Sequence, residues 1–233
     1  MPKVYRYTSL FMILIIMGAH WGFYKYYISQ FPNFINKTTI IHIHGALWMT
    51  WLALLVVQPF LIYTGRPQLH RAIGKIAYVH GPLLILFLFL AGRESYWRIM
   101  ENANEQAALK FIVLDSRGLF SFAIFWTLAM LFRKHPASHM RYMIATGLLA
   151  IGPGIGRGLV NSFNLDFDTV FKTLDLVNLA IVGCLLGNDL YKKKNYKPFL
   201  VVFIVFLVGA VMWRMRDSDE WQSLAKVYAT LFY

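Results

Sequence analysis

The chain has 233 residues, 58% of them hydrophobic and only 15% charged, with a formal net charge of +12. That balance excludes an ordinary soluble domain, and apolar runs that are continuous rather than alternating exclude a β-barrel. A single cysteine, Cys184, excludes a disulfide framework or a thiolate metal site.

Seven apolar stretches, at about 8–28, 39–63, 72–92, 110–132, 140–160, 170–190 and 197–213, are long enough to cross a hydrocarbon core of ~30 Å. They predict an all-α integral membrane protein, one domain, built as a bundle of seven transmembrane helices. The first stretch follows Lys3 and Arg6, lacks a small-residue cleavage site and ends in Tyr24-Lys25-Tyr26-Tyr27, an aromatic anchor. It reads as a retained span.

Lysines and arginines cluster densely at Lys3 and Arg6, at Arg66, Arg71 and Lys75, at Arg133, Lys134 and Arg141, and at Lys192–Lys194 with Lys197. These segments are expected inside, giving an N-in, C-out chain in a bacterial inner membrane. The net positive charge is then accounted for by anionic lipid and calls for no nucleic acid. After the seventh span, Asp217 or Ser218 is expected to cap a short helix over 218–232. Its Trp221, Leu224, Val227, Tyr228 and Leu231 form one stripe, suited to the outer membrane surface or to the bundle.

At ~1.5 Å of rise per residue, His20 and His80 fall near mid-membrane, while His42 and His44 fall at the outer start of the second span. His70, His135 and His139 fall at the inner surface. Ionisable groups gather in the outer half: Asp115, Arg117, Arg157 and Asp175. Ion pairs Asp115–Arg117 and Arg157–Asp175 are the bland expectation for them. Arg157 lies in Ile151-Gly152-Pro153-Gly154-Ile155-Gly156-Arg157-Gly158, which predicts a broken helix.

Two chemical readings follow. The first is haem b between His20 and His80, with His44 a substitute for either. Aromatic walls would come from Trp21, Trp48, Trp51, Phe87 and Trp126, and Arg157 or Arg93 would meet the propionates. The second is iron, copper or zinc on His20, His42, His44 and His80 with Asp115 or Asp175. His42 and His44 converge only if the second span starts extended, because residues two apart lie on opposite sides of a helix. The structural alternatives are a carbonyl contact for His80 before Gly81-Pro82, and lipid-phosphate contacts for the inner histidines beside Arg71 and Arg141.

The set His42-x-His44-Gly45, Gln58, Leu69-His70-Arg71-x-x-Gly74 and Pro136-x-x-His139-x-Arg141-Tyr142-Met143 resembles a family of bacterial polytopic membrane proteins whose activity is unassigned. Arg157, Asp175 and Asn188-Asp189 stand where that family carries an arginine and an intramembrane aspartate. The resemblance covers roughly residues 40 to 198 and implies a seven-helix fold. It shifts weight to His42, His44, His70 and His139 as ligands, because His20 and His80 lie outside the pattern. A weaker likeness, in residue type only, is to small membrane cytochromes b and to proteins that assemble haem–copper oxidases. The expected function is therefore electron transfer, with quinone or a respiratory complex as partner. The alternatives are a metalloenzyme acting on a lipid or isoprenoid, a small transporter, and an accessory subunit.

Overall fold

The computed structural model describes residues 3–233, and these form helices and turns, with no strand among them. The helices are α1 (Lys3–Tyr24), α2 (Thr39–Tyr63), α3 (Pro67–Gly74), α4 (Ala77–Asn102), α5 (Glu105–Leu131), α6 (Pro136–Leu148), α7 (Arg157–Phe163), α8 (Phe167–Tyr191), α9 (Lys197–Met215) and α10 (Asp219–Phe232). A π turn at Gly152–Gly156 joins α6 to α7. Counting Pro136–Phe163 as one span, seven helices are long and apolar enough to cross a membrane. We call the end of the bundle where α1 begins proximal and the other end distal.

Local chemistry sets most boundaries. Side-chain oxygens of Thr38, Asn104, Asp166 and Ser218 cap α2, α5, α8 and α10. Pro67, Pro136 and Pro198 stand in the first turns of α3, α6 and α9, where the missing N–H costs nothing. α2 coincides with the stretch expected over 39–63, whereas α4 runs on to Asn102. Its last turns carry Arg93, Glu94, Tyr96, Trp97 and Arg98, too polar to register as an apolar run.

The residues around Pro153 do not break the span. The helix widens through the π turn and keeps its backbone paired, as in the bond from Gly154 N–H to Ala150 C=O (2.9 Å). A loop would leave such groups unpaired at membrane depth. α1 lies directly on this turn. A Cβ at Gly22 would sit 1.9 Å from the Gly154 carbonyl oxygen, and one at Gly158 would sit 2.5 Å from the Trp21 ring. α1 also touches α2 and α6, while α4 packs on α2 and α5, and α9 on α5, α6 and α8.

Two ion pairs, one part-buried and one buried, tie the later helices together, and neither is the pairing expected from sequence order. Arg117 meets Asp175 (3.0 Å) between α5 and α8, leaving Asp115 and Arg157 to other surroundings. Arg141 grips Asp189 with two bonds of 2.7 and 2.8 Å between α6 and α8. Both residues are buried, so Arg141 does not stand beside the inner histidines as a cation open to lipid phosphate. The α10 stripe is also rotated from the expected one. Trp221, Ala225 and Ala229 are buried against α5, and the Trp221 indole donates to Leu109 C=O (3.0 Å). Leu224, Val227 and Leu231 point outward.

Gly22→Ala is expected to destabilise the protein by about 1–3 kcal/mol, because neither backbone at the contact has a flexible atom to give. Gly45→Ala, where a Cβ would meet nothing within 4 Å, should be neutral or gain a fraction of a kcal/mol. Thermal unfolding of both variants in mild detergent checks the contrast. Asp189→Ala should cost about 3–5 kcal/mol by stranding a buried guanidinium, and the double change Arg141→Met/Asp189→Leu should recover most of it.

Candidate functional site

The C-terminus of α2 sets the site up. Gly65, at φ +75°, lets the chain reverse: Arg66 N–H bonds to Leu61 C=O (2.8 Å) and Gly65 N–H to Ile62 C=O (3.1 Å). This is a Schellman closure, and it returns α3 against the helix it has just left. His70 of α3 then donates from Nδ1–H to Gln58 C=O on α2 (3.3 Å). From across the bundle, His139 of α6 donates from Nδ1–H to Ala129 C=O (2.8 Å), one of the last carbonyls of α5, which lack helical partners.

His70 and His139 both line a proximal cavity of about 580 Å³. A carbonyl can only accept, so each imidazole carries its neutral-form proton on Nδ1 and presents an Nε2 lone pair. Neither Nε2 has a hydrogen-bond partner among the described residues, and neither is sealed from the surroundings. Gln58 joins them on the cavity wall. It is nine-tenths buried, and neither its amide nitrogen nor its carbonyl oxygen has a partner. Two unpaired polar atoms in such a place cost about 1–3 kcal/mol each.

Below the polar atoms the lining is apolar and soft, with Met12, Trp51, Leu55 and Met143. Arg71, Lys75 and Arg133, all exposed, stand around the mouth. Burial holds the His70 pKa below the ordinary histidine value of 6.5. The Gln58 carbonyl opposes that shift, and the nearby His139 and Arg71 charges add to it.

The other candidate residues are dispersed. His20 is exposed and lies beside Tyr24 (ring centroids 6.3 Å apart). His80 is buried, stacked on Trp51 (5.7 Å), and donates from Nε2 to Leu47 C=O (2.9 Å). That carbonyl belongs to α2, not to a carbonyl freed by Pro82 in its own helix. Because α1 and α4 are not packed neighbours, the expected haem pair His20–His80 is not brought together.

α2 is helical from Thr39, so His42 and His44 diverge. His42 bonds through Nδ1 to the Tyr27 hydroxyl and packs edge-on to Phe34, while the Nδ1 of His44 is buried without a partner. Asp115 sits where α4 and α5 cross at Gly92, close to the Tyr233 hydroxyl. Asp175 is taken up by Arg117, and Arg93 donates to the main-chain oxygen of Tyr233 (3.2 Å). Arg157 lies over the rings of Phe23 and Tyr26. Among the described residues, no three His, Cys, Asp or Glu side chains group as a metal site.

Of the residues expected as metal ligands, then, the structure places His70 and His139 on one cavity and scatters His20, His42, His44, His80, Asp115 and Asp175. Gln58 belongs to the site although the sequence assigned it no role. Its signal was a lone amide in an otherwise apolar span, directly before Pro59. Trp51, expected only as a haem wall, forms the deep end of the cavity.

Fold and site together define an integral membrane protein with seven membrane-length helices and a polar-headed cavity at one end. The chain matches no family model, no curated protein and no solved structure.

A histidine whose folded pKa is depressed contributes stability that is present above pH 6.5 and lost as pH falls through the folded value. Below pH 6.5 the melting temperature of the wild type should therefore fall more steeply than that of His70→Asn, which keeps a donor for the Gln58 carbonyl. Melting curves of the two proteins from pH 7.5 to 5 check this.

Proposed function

We propose that the proximal cavity binds a membrane-borne amphiphile with an oxygen-bearing ring and an isoprenoid-type tail, a quinone or quinol, and exchanges protons with its head through His70 and His139. The observation that carries this reading is the matched pair of imidazoles on one cavity, each fixed by Nδ1–H to a backbone carbonyl with its Nε2 unpaired among the described residues. A quinol has two hydroxyl groups to donate, and two acceptors held by main chain suit it. Met12, Trp51 and Met143 form the apolar wall that a tail needs.

Arg71, Lys75 and Arg133 at the mouth favour a head on which negative charge develops. The distribution of Lys and Arg supports a proximal end at the cytoplasmic face of a bacterial inner membrane. Oxidation of a bound quinol releases two protons, to the two Nε2 atoms, and two electrons, to a redox centre of an adjoining respiratory complex. The chain's own part is binding, orientation and proton acceptance.

A second reading uses the same atoms. Iron, copper or zinc is ligated by neutral imidazoles whose other nitrogen donates to a carbonyl, and His70 and His139 both have that arrangement. The protein is then a metalloenzyme working on a lipid or isoprenoid head.

Purified protein separates these readings. Solvent extraction with mass spectrometry should recover a quinone from the wild type, and His70→Ala or His139→Ala should each reduce its retention about tenfold, the loss of one well-placed hydrogen bond to a buried head. Stoichiometric metal lost with the same substitutions would favour the enzyme. Reduced haem bands that survive both substitutions would remove His70 and His139 from the redox centre. A protein that carries neither quinone nor metal, and takes up no added quinone, sinks both readings.

A further inference from the structure

A second set of unsatisfied groups lies at the distal end and owes nothing to the cavity. Arg157 opens α7 directly after the π turn. The glycine contacts of α1 at Gly154 and Gly158 bring its guanidinium over two aromatic rings, 4.9 Å from the centroid of Phe23 and 5.3 Å from that of Tyr26. Two further cations meet at the same phenol. Lys37 Nζ stands 3.9 Å from the Tyr26 ring centroid, and Arg98 Nη1 donates to the Tyr26 hydroxyl (3.2 Å).

None of these three cations has a carboxylate within 4.0 Å, and Arg157 makes no hydrogen bond to protein, among the described residues. Of the acids nearby, Glu94 accepts from Thr38 (2.7 Å), and Asp115, against α4 at Gly92, lies within electrostatic reach of Arg157 and Arg98 but forms no ion pair with either. Burial resists ionisation of Tyr26, yet the charges of Arg98, Lys37 and Arg157 pull its phenol below the usual value of 10.

A guanidinium carries five N–H donors, and stacking on aromatic faces satisfies none of them. Arg157 stands six residues before the end of α7, roughly 9 Å along the helix axis, whereas Tyr26 and Lys37 lie in the segment between α1 and α2. The cluster thus descends from the distal surface to about the depth of a lipid head group. We propose that Arg157, Arg98 and Lys37 form a binding site for a phosphate-type oxyanion, whether the head group of a distal-leaflet lipid or a soluble phosphate. Guanidinium forks match such an anion bidentately, and Lys37 adds a point charge. The Phe23 and Tyr26 rings hold the deepest guanidinium in place for it.

The test uses the full chain in bilayer discs of phosphatidylglycerol and phosphatidylcholine, transferred to mild detergent for native mass spectrometry, with phosphorus NMR of added inorganic phosphate in parallel. The wild type is expected to retain anionic lipid, and Arg157→Gln to lose about tenfold of that retention, as for removal of a charge-assisted bond. Arg98→Gln and Lys37→Gln, at more exposed positions, are expected to lose less. If the source is a soluble anion, lipid retention is the same in all variants, and the inorganic phosphate line broadens with wild type but not with Arg157→Gln. Should Arg157→Gln fail to fold, the Arg98→Gln/Lys37→Gln double variant carries the test. Lipid retention and phosphate broadening both unchanged from wild type in the variants overturn the proposal. Retention of a proximal-cavity ligand is expected to be unchanged throughout, so failure here leaves that reading where it stands.

Discussion

The tightest contact at any glycine is between α1 and the π turn at Gly152–Gly156, and much else depends on it. With lipid outside and no water to hydrogen-bond an opened backbone, a proline in a span has to be accommodated without exposing main chain. Widening the turn does this, and glycine on both sides lets a neighbouring helix press against it. α1 is therefore held tightly along its distal half. Along its proximal half it packs on α2, where Ser9 donates to Val56 C=O (3.0 Å), while Tyr5, Thr8 and Met12 line the cavity. One helix is a clamp at one end of the bundle and a wall of open space at the other.

The buried polar groups divide along similar lines. Arg141–Asp189 and Arg117–Asp175 are closed pairs, each charge met by its opposite with good geometry, and their effect is to fix α8 against its neighbours. Such pairs bring little net stability relative to apolar packing, but losing one partner is costly, so they enforce a single arrangement. His70, His139 and Gln58 are different, since their protein contacts use up only part of their hydrogen-bonding capacity. Arg157 is held by rings rather than by acceptors. Closed pairs position the helices, and the incompletely satisfied groups lie in the spaces those helices leave.

Seen from the sequence, the number of spans and some of their ends were legible because hydrophobicity and capping are local. α2 falls on the stretch read for it, and Pro136 starts α6 with His135 just outside. Rotation about each helix axis was not legible, because packing sets it. His20 had the right depth for a partner to His80, yet its helix turns it outward. Asp175 was matched with Arg157 because both fall in the outer half, and the bundle gave it Arg117. On α10 the larger side chains looked like the buried stripe, but two alanines and Trp221 allow the closer approach to α5. Of the proximal site, the two histidines were visible as residues, but their convergence was not. It depends on the reversal at Gly65 and on the α5–α6 connection lying opposite it.

The fixing of both imidazoles through Nδ1 has a consequence for motion. A ring that must release one hydrogen bond to gain a proton has to swing, and its helix or loop has to yield. Here a proton arriving at Nε2 leaves the Nδ1–H contact to Gln58 or Ala129 in place and strengthens it, because the donor has become cationic. The same cavity can pass between neutral and charged states of its two rings with no atom of the backbone displaced. Reorganisation is then confined to whatever occupies the space between them.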